Sequence, residues 1–470
     1  MAQLLEGLFT TTREPGAGMI NVTPLPNQAS TAAVSALTAL QHAFAISRIG
    51  GQLRLVDRQV IREAQQGSLT AAVHFIKKQD ADLILKRFIE SLPIPVVKPA
   101  DVVNSFWVSP NTIEYHRLAF HPIPQSADTL NLWVPYTVVP AQGIWTVIEN
   151  YLLDVICDGD LGLFDYLIRF LAHALQHPEE KPGIMIVLIG AEGVGKGFFV
   201  RLLEALWGAT TLQVSDIAAI TGNFNAALQR AFWVALDECM FHGDKKPQDR
   251  MKSLVTEPAI QVEQKYEPSR TIESFHRFIA CTNHAQWGQI RSDDRRYLFI
   301  KVSDCHKQDT KYFGQLSSAL NDDTTVPAFA YYLINLNITK FNPRNKPQTA
   351  EGFEQKRRSL SGFARYWYEV LDKGSFDLGG DHYAAGSLSY EEELFVTSQS
   401  LIEKYKDYNH AAERYEAIQA KTIREEIKGL CPSADTTKRK DNKRGFLFPK
   451  IEVARNEFET YIGCTVNWDE

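Results

Sequence analysis

Between residues 184 and 206 the chain reads "IMIVLIGAEGVGKGFFVRLLEAL". A continuous apolar run is followed by a glycine-rich bend, and then by apolar positions at three- and four-residue spacing. The pattern predicts a strand, a tight turn and an amphipathic helix in that order. Upstream, "WTVIENYLLDVICDGDLGLFDYLIRFLAHALQ" (145–176) carries the same helical spacing on both sides of a "GDLG" break, predicting two amphipathic helices that lead into the strand. From 184 to 303 strands and helices alternate, the signature of a wound α/β sheet. Earlier, "AFAISRIGGQLRLVD" reads as a hairpin with a Gly-Gly turn, and "PIPQSADTLNLWVPYTVVPAQG" as Pro-punctuated extended chain. The expected organisation is a flexible leader (1–30), an α+β accessory domain (31–144), an α/β core with its leading helices (145–310), a helical region (311–399) and a small basic unit (400–470). Within the accessory domain, Trp133 is expected to be a core residue.

Composition changes this picture little. The chain has 470 residues, 44% hydrophobic and 23% charged, ordinary values for globular domains. A net charge of -6 means that any nucleic-acid contact must come from local basic patches, since phosphate binding acts through nearby Lys and Arg. The six cysteines stand alone without CxxC or zinc-type spacing, which points to a reducing compartment. No signal peptide or membrane-length apolar run is present in the pattern, so the expectation is an aqueous interior compartment, with no membrane partner.

The bend "GAEGVGKG" fits G-x-x-x-x-G-K, with Gly190, Gly195 and Lys196 in register and Gly193 between them. Such glycines let backbone N–H groups turn toward phosphate oxygens, the helix start adds its positive end, and Lys196 reaches the terminal phosphates. Gly197 stands where a Ser or Thr hydroxyl normally ligates magnesium. Water or a nearby carboxylate must then take that coordination position, which magnesium tolerates.

About forty residues on, "FWVALDEC" is an apolar strand ending in Asp237 and Glu238. An acidic pair at a strand's carboxyl end can hold magnesium and orient or activate a water. A third apolar strand, "HRFIACTN", ends in Asn283, which either positions that water or merely caps the strand. "SDDRRYLFI" then offers Arg295 and Arg296. They fit an arginine reaching a neighbouring subunit's γ-phosphate, and equally an exposed basic pair matched by Asp293 and Asp294.

The ordered set "GAEGVGKG", "FWVALDEC", "MKSLVTEPAIQVEQKYEP", "FIACTN" and "DDRRYLFIKVSD" resembles superfamily 3 helicases of the AAA+ class. More narrowly, it resembles the helicase half of the primase-helicases of phages and integrated mobile elements, over roughly residues 40–305. The resemblance implies a P-loop AAA+ core forming a hexameric ring that hydrolyses Mg-ATP and moves on single-stranded or forked DNA. It assigns Lys196 to the phosphates, Asp237 to magnesium, Glu238 as catalytic base, Asn283 as sensor, and Arg295 as the finger with Arg296 as fallback. "GKG" is frequent in this narrower group, so Gly197 fits it. A hairpin between the acidic pair and Asn283 would carry a channel-facing lysine, here Lys265, with Tyr266 where a glycine commonly follows and Lys252 on the preceding helix. Tyr266 can stack on a base.

At the C-terminus, "TTKRKDNKRGFLFPK" presents Lys438, Arg439, Lys440, Lys443 and Arg444 between two helical patterns. The arrangement suggests a winged-helix-like unit whose basic loop either contacts duplex phosphates or is only a solvated loop. No metal-binding carboxylate cluster of a polymerising primase is apparent, so a primase or polymerase acting with it would be a separate chain. The reading is a replicative helicase working in the cytoplasm of a bacterial host. The alternatives are an origin-binding initiator that melts DNA without processive unwinding, and a small-molecule phosphotransferase.

Overall fold

The computed structural model describes residues 26–48, 51–67, 73–238, 245–263, 269–291, 294–360, 362–376, 392–411 and 420–468. The chain divides into two compact units, the first comprising residues up to 63 with 71–118 and 127–130. Its elements are α1 (Pro26–Ala43), β1 (Phe44–Ser47), β2 (Arg54–Asp57), β3 (Ile76–Lys77), α2 (Lys78–Ser91), α3 (Pro99–Val108) and β4 (Glu114–Tyr115). The β1 and β2 strands pair antiparallel, Phe44 opposite Asp57, as the Gly-Gly pattern predicts. Sheet order is β3-β2-β1-β4. Leu40, Leu85, Ile89 and Phe106 form the core beneath it.

The second unit holds α4 (Leu161–Gln176), β5 (Met185–Ile189), α5 (Lys196–Trp207), β6 (Thr211–Val214), β7 (Trp233–Asp237) and α6 (Lys245–Thr256). A hairpin, β8 (Ala259–Val262) and β9 (Arg270–Glu273), then precedes β10 (Arg277–Thr282) and β11 (Tyr297–Lys301). Five of these strands form a parallel sheet in the order β11-β5-β10-β7-β6. Its central strands are buried end to end, every residue of β5 and β10 included, although β10 carries Arg277 and Thr282 at its two ends.

The order has a direct consequence. From β5 the chain crosses to the far edge strand β6, whereas from β10 it crosses the other way to β11. Adjacent strands β5 and β10 therefore send their exits in opposite directions, and an open α/β sheet binds ligands in the crevice at such a reversal. The registers pair Cys281 with both Leu188 and Asp237, so β5, β7 and β10 end at one level.

The first leading helix differs from expectation. Only Thr146–Asn150 is α-helical, and Tyr151–Ile156 widens into a π-helical turn that buries Tyr151, Leu152, Val155 and Ile156. The helices α7 (Thr310–Leu320), α8 (Thr325–Asn335) and α9 (Ala350–Ser359) follow the sheet. Then come α10 (Gly362–Lys373), β12 (Leu394–Thr397), α11 (Ser398–Ala411), α12 (Ala420–Leu430), β13 (Arg439–Lys440), β14 (Lys443–Phe448) and α13 (Ile451–Ile462). One hydrophobic cluster joins Phe363 and Trp367 to Leu401, Ile427, Phe446 and Phe458, so this packing begins in α10, ahead of residue 400. Its antiparallel sheet has the order β12-β14-β13. Trp133 is half-buried, its ring 4.9 Å from Phe120 and 5.0 Å from Phe232.

Candidate functional site

The glycine loop sits at the reversal between β5 and β10. Gly193 and Gly195 adopt φ of 78° and 104°, which only glycine takes without strain. Space forbids a side chain at Gly195 as well, because a Cβ there would lie 2.7 Å from the Phe313 ring. Three hydrogen bonds clamp the loop. The Gly190 N–H donates to the Thr282 carbonyl (3.2 Å), the Gln308 N–H to the Gly193 carbonyl (3.0 Å), and the Tyr151 hydroxyl to the Gly195 carbonyl (2.9 Å). Burial raises the Tyr151 phenol well above its ordinary range, so it stays a donor. The Lys196 ammonium donates to the Gly190 and Ala191 carbonyls at 2.7 and 2.8 Å. Burial lowers its proton affinity, while Cys281, Glu238 and Asp237 work against that shift. At Gly197 an added Cβ would meet nothing within 4 Å, so packing does not demand glycine there, and the space can admit a hydrated cation.

The acidic pair and Asn283 converge on the same crevice. Asp237 ends β7 exposed, and Glu238 follows it with φ of 52°. A left-handed Glu is costly, and such strain recurs where a side chain must be aimed. The Glu238 N–H donates to the Cys281 carbonyl (2.9 Å), and the Asn283 amide donates to Glu238 Oε1 (3.2 Å). Burial pushes the neighbouring Cys281 thiol up to about 12, with Asp237 adding to the shift, so the thiol stays neutral between these charges. The loop amides, Lys196 and the Asp237–Glu238 pair together fit a magnesium-bound triphosphate by donor type.

The two arginines lie elsewhere. The β11 strand runs parallel to β5, with Tyr297 opposite Met185 and Lys301 opposite Ile189. Arg295 and Arg296 therefore stand at the amino ends of the strands, at least ~13 Å from the loop at about 3.3 Å per residue. Neither can serve the pocket of its own chain. Arg296 is tied to the buried Asp294, its N–H to Oδ1 at 2.9 Å and its guanidinium 3.7 Å from Oδ2. Arg295 is exposed and has no ion pair among the described residues. Asp293 lies outside them.

Of the DNA-contact candidates, Lys265 and Tyr266 fall outside the described residues. The strands that lead to them are paired, Val262 opposite Arg270, so the hairpin itself is present. Lys252 is half-buried and pairs with Asp249 at 3.0 Å on its own helix. A residue that sequence reasoning missed stands at the root of this hairpin. Phe224 is 60% exposed beside Asn225, whose amide accepts from Glu263 N–H and donates to the Gln261 carbonyl, both at 2.9 Å. The signal was an aromatic residue inside "TGNFN", a polar turn with no apolar face to join. Lys246 and Arg250 line the adjoining cleft of about 510 Å³.

The hairpin is also anchored from below. Lys181, in the turn entering β5, donates to the Leu254 and Glu257 carbonyls (both 2.7 Å) and to Ser274 Oγ. His276 donates through Nε2 to the Leu228 carbonyl (2.8 Å) and lies 2.9 Å through Nδ1 from Ser274 Oγ. Burial lowers His276 to about 4, and the Lys181 charge adds to that. Buried Arg277 donates to His173 Nδ1 (3.2 Å), and His173 falls to about 3 through burial and then through the Arg277 charge.

In the C-terminal region Lys438, Arg439, Lys440, Lys443 and Arg444 are all exposed. They flank a two-residue turn in which Asp441 and Asn442 both adopt left-handed φ, 50° and 60°. That turn type matches strand twist and holds the hairpin tight.

Against known proteins, residues 188–296 match a protein family of unknown function, DUF5906. A "DNA Primase-polymerase" of Nitratiruptor phage NrS-1 is 24% identical over 217 residues, 45% of this chain and 30% of that protein. The chain thus spans under a third of that relative's length. Two solved apo structures of the NrS-1 C-terminal region cover 87% of this chain and 97% of theirs, with TM-scores of 0.62 and 0.61 at 17% identity. The chain is therefore related in sequence to a phage primase-polymerase, and it shares the mixed α/β fold of that protein's C-terminal region. No helix of the described residues is long and apolar enough to cross a membrane.

Proposed function

We propose that the chain is the ATP-driven motor of a phage or mobile-element DNA replication system. In this reading it is an AAA+ helicase of superfamily 3 type that assembles as a ring, with the hexamer the expected form, and unwinds forked DNA. The observation that carries the reading is the sheet order. The glycine loop, Asp237–Glu238 and Asn283 lie at one rim and Arg295 at the other, which supports a pocket completed by a second copy. The relation to a phage primase-polymerase supports the replication context.

In the mechanism, the loop amides and Lys196 hold the β- and γ-phosphates, and Asp237 is the residue that would hold magnesium. Magnesium, when bound, offsets the charge of the triphosphate. Asn283 holds the Glu238 carboxylate in place, and Glu238 takes the proton of the attacking water. Arg295 of the next copy meets the charge that develops on the γ-phosphate. Lys181 ties the turn entering β5 to the segments that flank the hairpin, and the sequence between the hairpin's two strands contains Lys265 and Tyr266. Phe224 adds a stacking face beside that hairpin. In the C-terminal region the order of helices and the β12-β14-β13 sheet is that of a winged helix, and its basic hairpin suits duplex phosphates ahead of the fork.

That basic hairpin also favours a second reading, an initiator that remodels duplex DNA without travelling along it. Strand displacement on a forked duplex, with Lys196→Ala as control, separates the two. ATP-dependent release of the strand supports the helicase, and melting without release supports the initiator. Absence of ATP hydrolysis under saturating single-stranded DNA removes both.

A further inference from the structure

The segment after β11 turns back along the glycine loop. The Val302 N–H donates to the Ile189 carbonyl (2.8 Å), Ser303 to Val155 (2.9 Å) and Gln308 to Gly193 (3.0 Å). The strap is braced by Asp309, which accepts from the Tyr312 N–H (3.0 Å) and lies 3.2 Å from His306 Nδ1. Four aromatic rings then collect next to the start of α5. Phe198 and Phe313 stack at 5.0 Å and 17°, His306 and Tyr312 at 3.7 Å and 6°, and Tyr312 meets Phe313 edge-on at 5.3 Å. All four are only half-buried, although the core around α5 buries Phe199, Leu203 and Trp207 without difficulty. The rings are left half open beside the start of α5, with the Arg201 guanidinium 4.7 Å from the Phe198 ring centre.

Resting on the reading that the Gly190–Gly197 loop holds a triphosphate, we infer that Phe198, His306, Tyr312 and Phe313 form the shelf that receives the nucleobase. The N–H groups at the start of α5 fix the phosphate end of the nucleotide. Phe198 is the first ring beyond them, so the nucleoside leaves the loop over the strap. Stacking uses the π-face that every base carries, and the braced strap holds the rings in place before the ligand arrives.

The test is equilibrium binding of ATP and of inorganic tripolyphosphate, each with magnesium, to the full-length protein. The variants are Phe198→Leu, Tyr312→Leu and Lys196→Ala, the leucines keeping apolar bulk against the loop. Both leucine variants should lose about tenfold or more in ATP affinity while tripolyphosphate stays within about twofold. An unchanged ATP affinity, or an equal loss on both ligands, overturns the shelf and leaves the phosphate loop standing. If the wild type binds neither ligand, or Lys196→Ala binds tripolyphosphate as the wild type does, the triphosphate site itself is wrong and the shelf falls with it.

Discussion

The crevice at the glycine loop and the surfaces proposed to meet DNA are built on opposite plans. In the crevice nearly every group is fixed by a partner: Gly190 by Thr282, Gly193 by Gln308, Gly195 by Tyr151, and Glu238 by both Cys281 and Asn283. The cations of the C-terminal hairpin, Lys438, Arg439, Lys440, Lys443 and Arg444, and the ring of Phe224 are instead exposed, and the geometric demand there falls on the backbone beneath them, at the Asp441–Asn442 turn and at Asn225. A pocket that must hold one ligand in one pose dictates residue types through backbone geometry. A surface that tracks a polymer of variable sequence needs only charge and ring faces at about the right place.

That contrast can be broken experimentally, first at the proposed boundary between copies. Arg295→Ala should cut DNA-stimulated ATP turnover by about 10³ while leaving ATP affinity intact, measured by steady-state hydrolysis and by equilibrium binding. Arg296→Ala, which removes a pairing with Asp294, should lose far less turnover. A reversed ranking would make Arg296 the residue that crosses the boundary.

A smaller effect is expected on the DNA side. Lys265→Ala and Phe224→Ala should keep basal hydrolysis and lose stimulation by single-stranded DNA, Phe224→Ala by about tenfold in DNA affinity. Normal unwinding by Lys265→Ala would remove the hairpin from the DNA path. Such a result would leave the crevice reading untouched, since the two regions are tested by different readouts.

The smallest effect concerns stability. Buried His173 and His276 titrate near 3 and 4 in the folded chain, below the ordinary value of 6.5. Between those values the unfolded chain binds more protons, so their neutral, buried state favours folding above pH 6.5 and this contribution is lost as pH falls toward 4. Urea midpoints at pH 7.5 and 5 should show a loss of about 2 kcal/mol or less per histidine. A flat profile would show that the hairpin root and the Arg277 turn open locally without global unfolding.

Much of the crevice was legible in the sequence because its chemistry lies in short, contiguous runs. Gly193, Gly195 and Lys196 follow from one loop, and Asp237, Glu238 and Asn283 each end an apolar strand. The loop's anchors were not legible. Tyr151 comes from a π-helical turn that helical spacing reads as ordinary, and Gln308 and Phe313 come from more than a hundred residues downstream. The seam between β5 and β10 was hidden too, since strand order is a long-range property that no local pattern encodes. Near the C-terminus, the isolated run "LFVT" (394–397) is too short to announce the strand that completes the β12-β14-β13 sheet.

The direction of β11 also bears on how defects would combine in a cell. If the pocket is completed in trans, a copy without Lys196 disables its own site yet still lends a sound arginine, and a copy without Arg295 does the reverse. Two alleles that are each silent alone would then restore partial replication when expressed together, because some junctions in a mixed assembly inherit the good half of both.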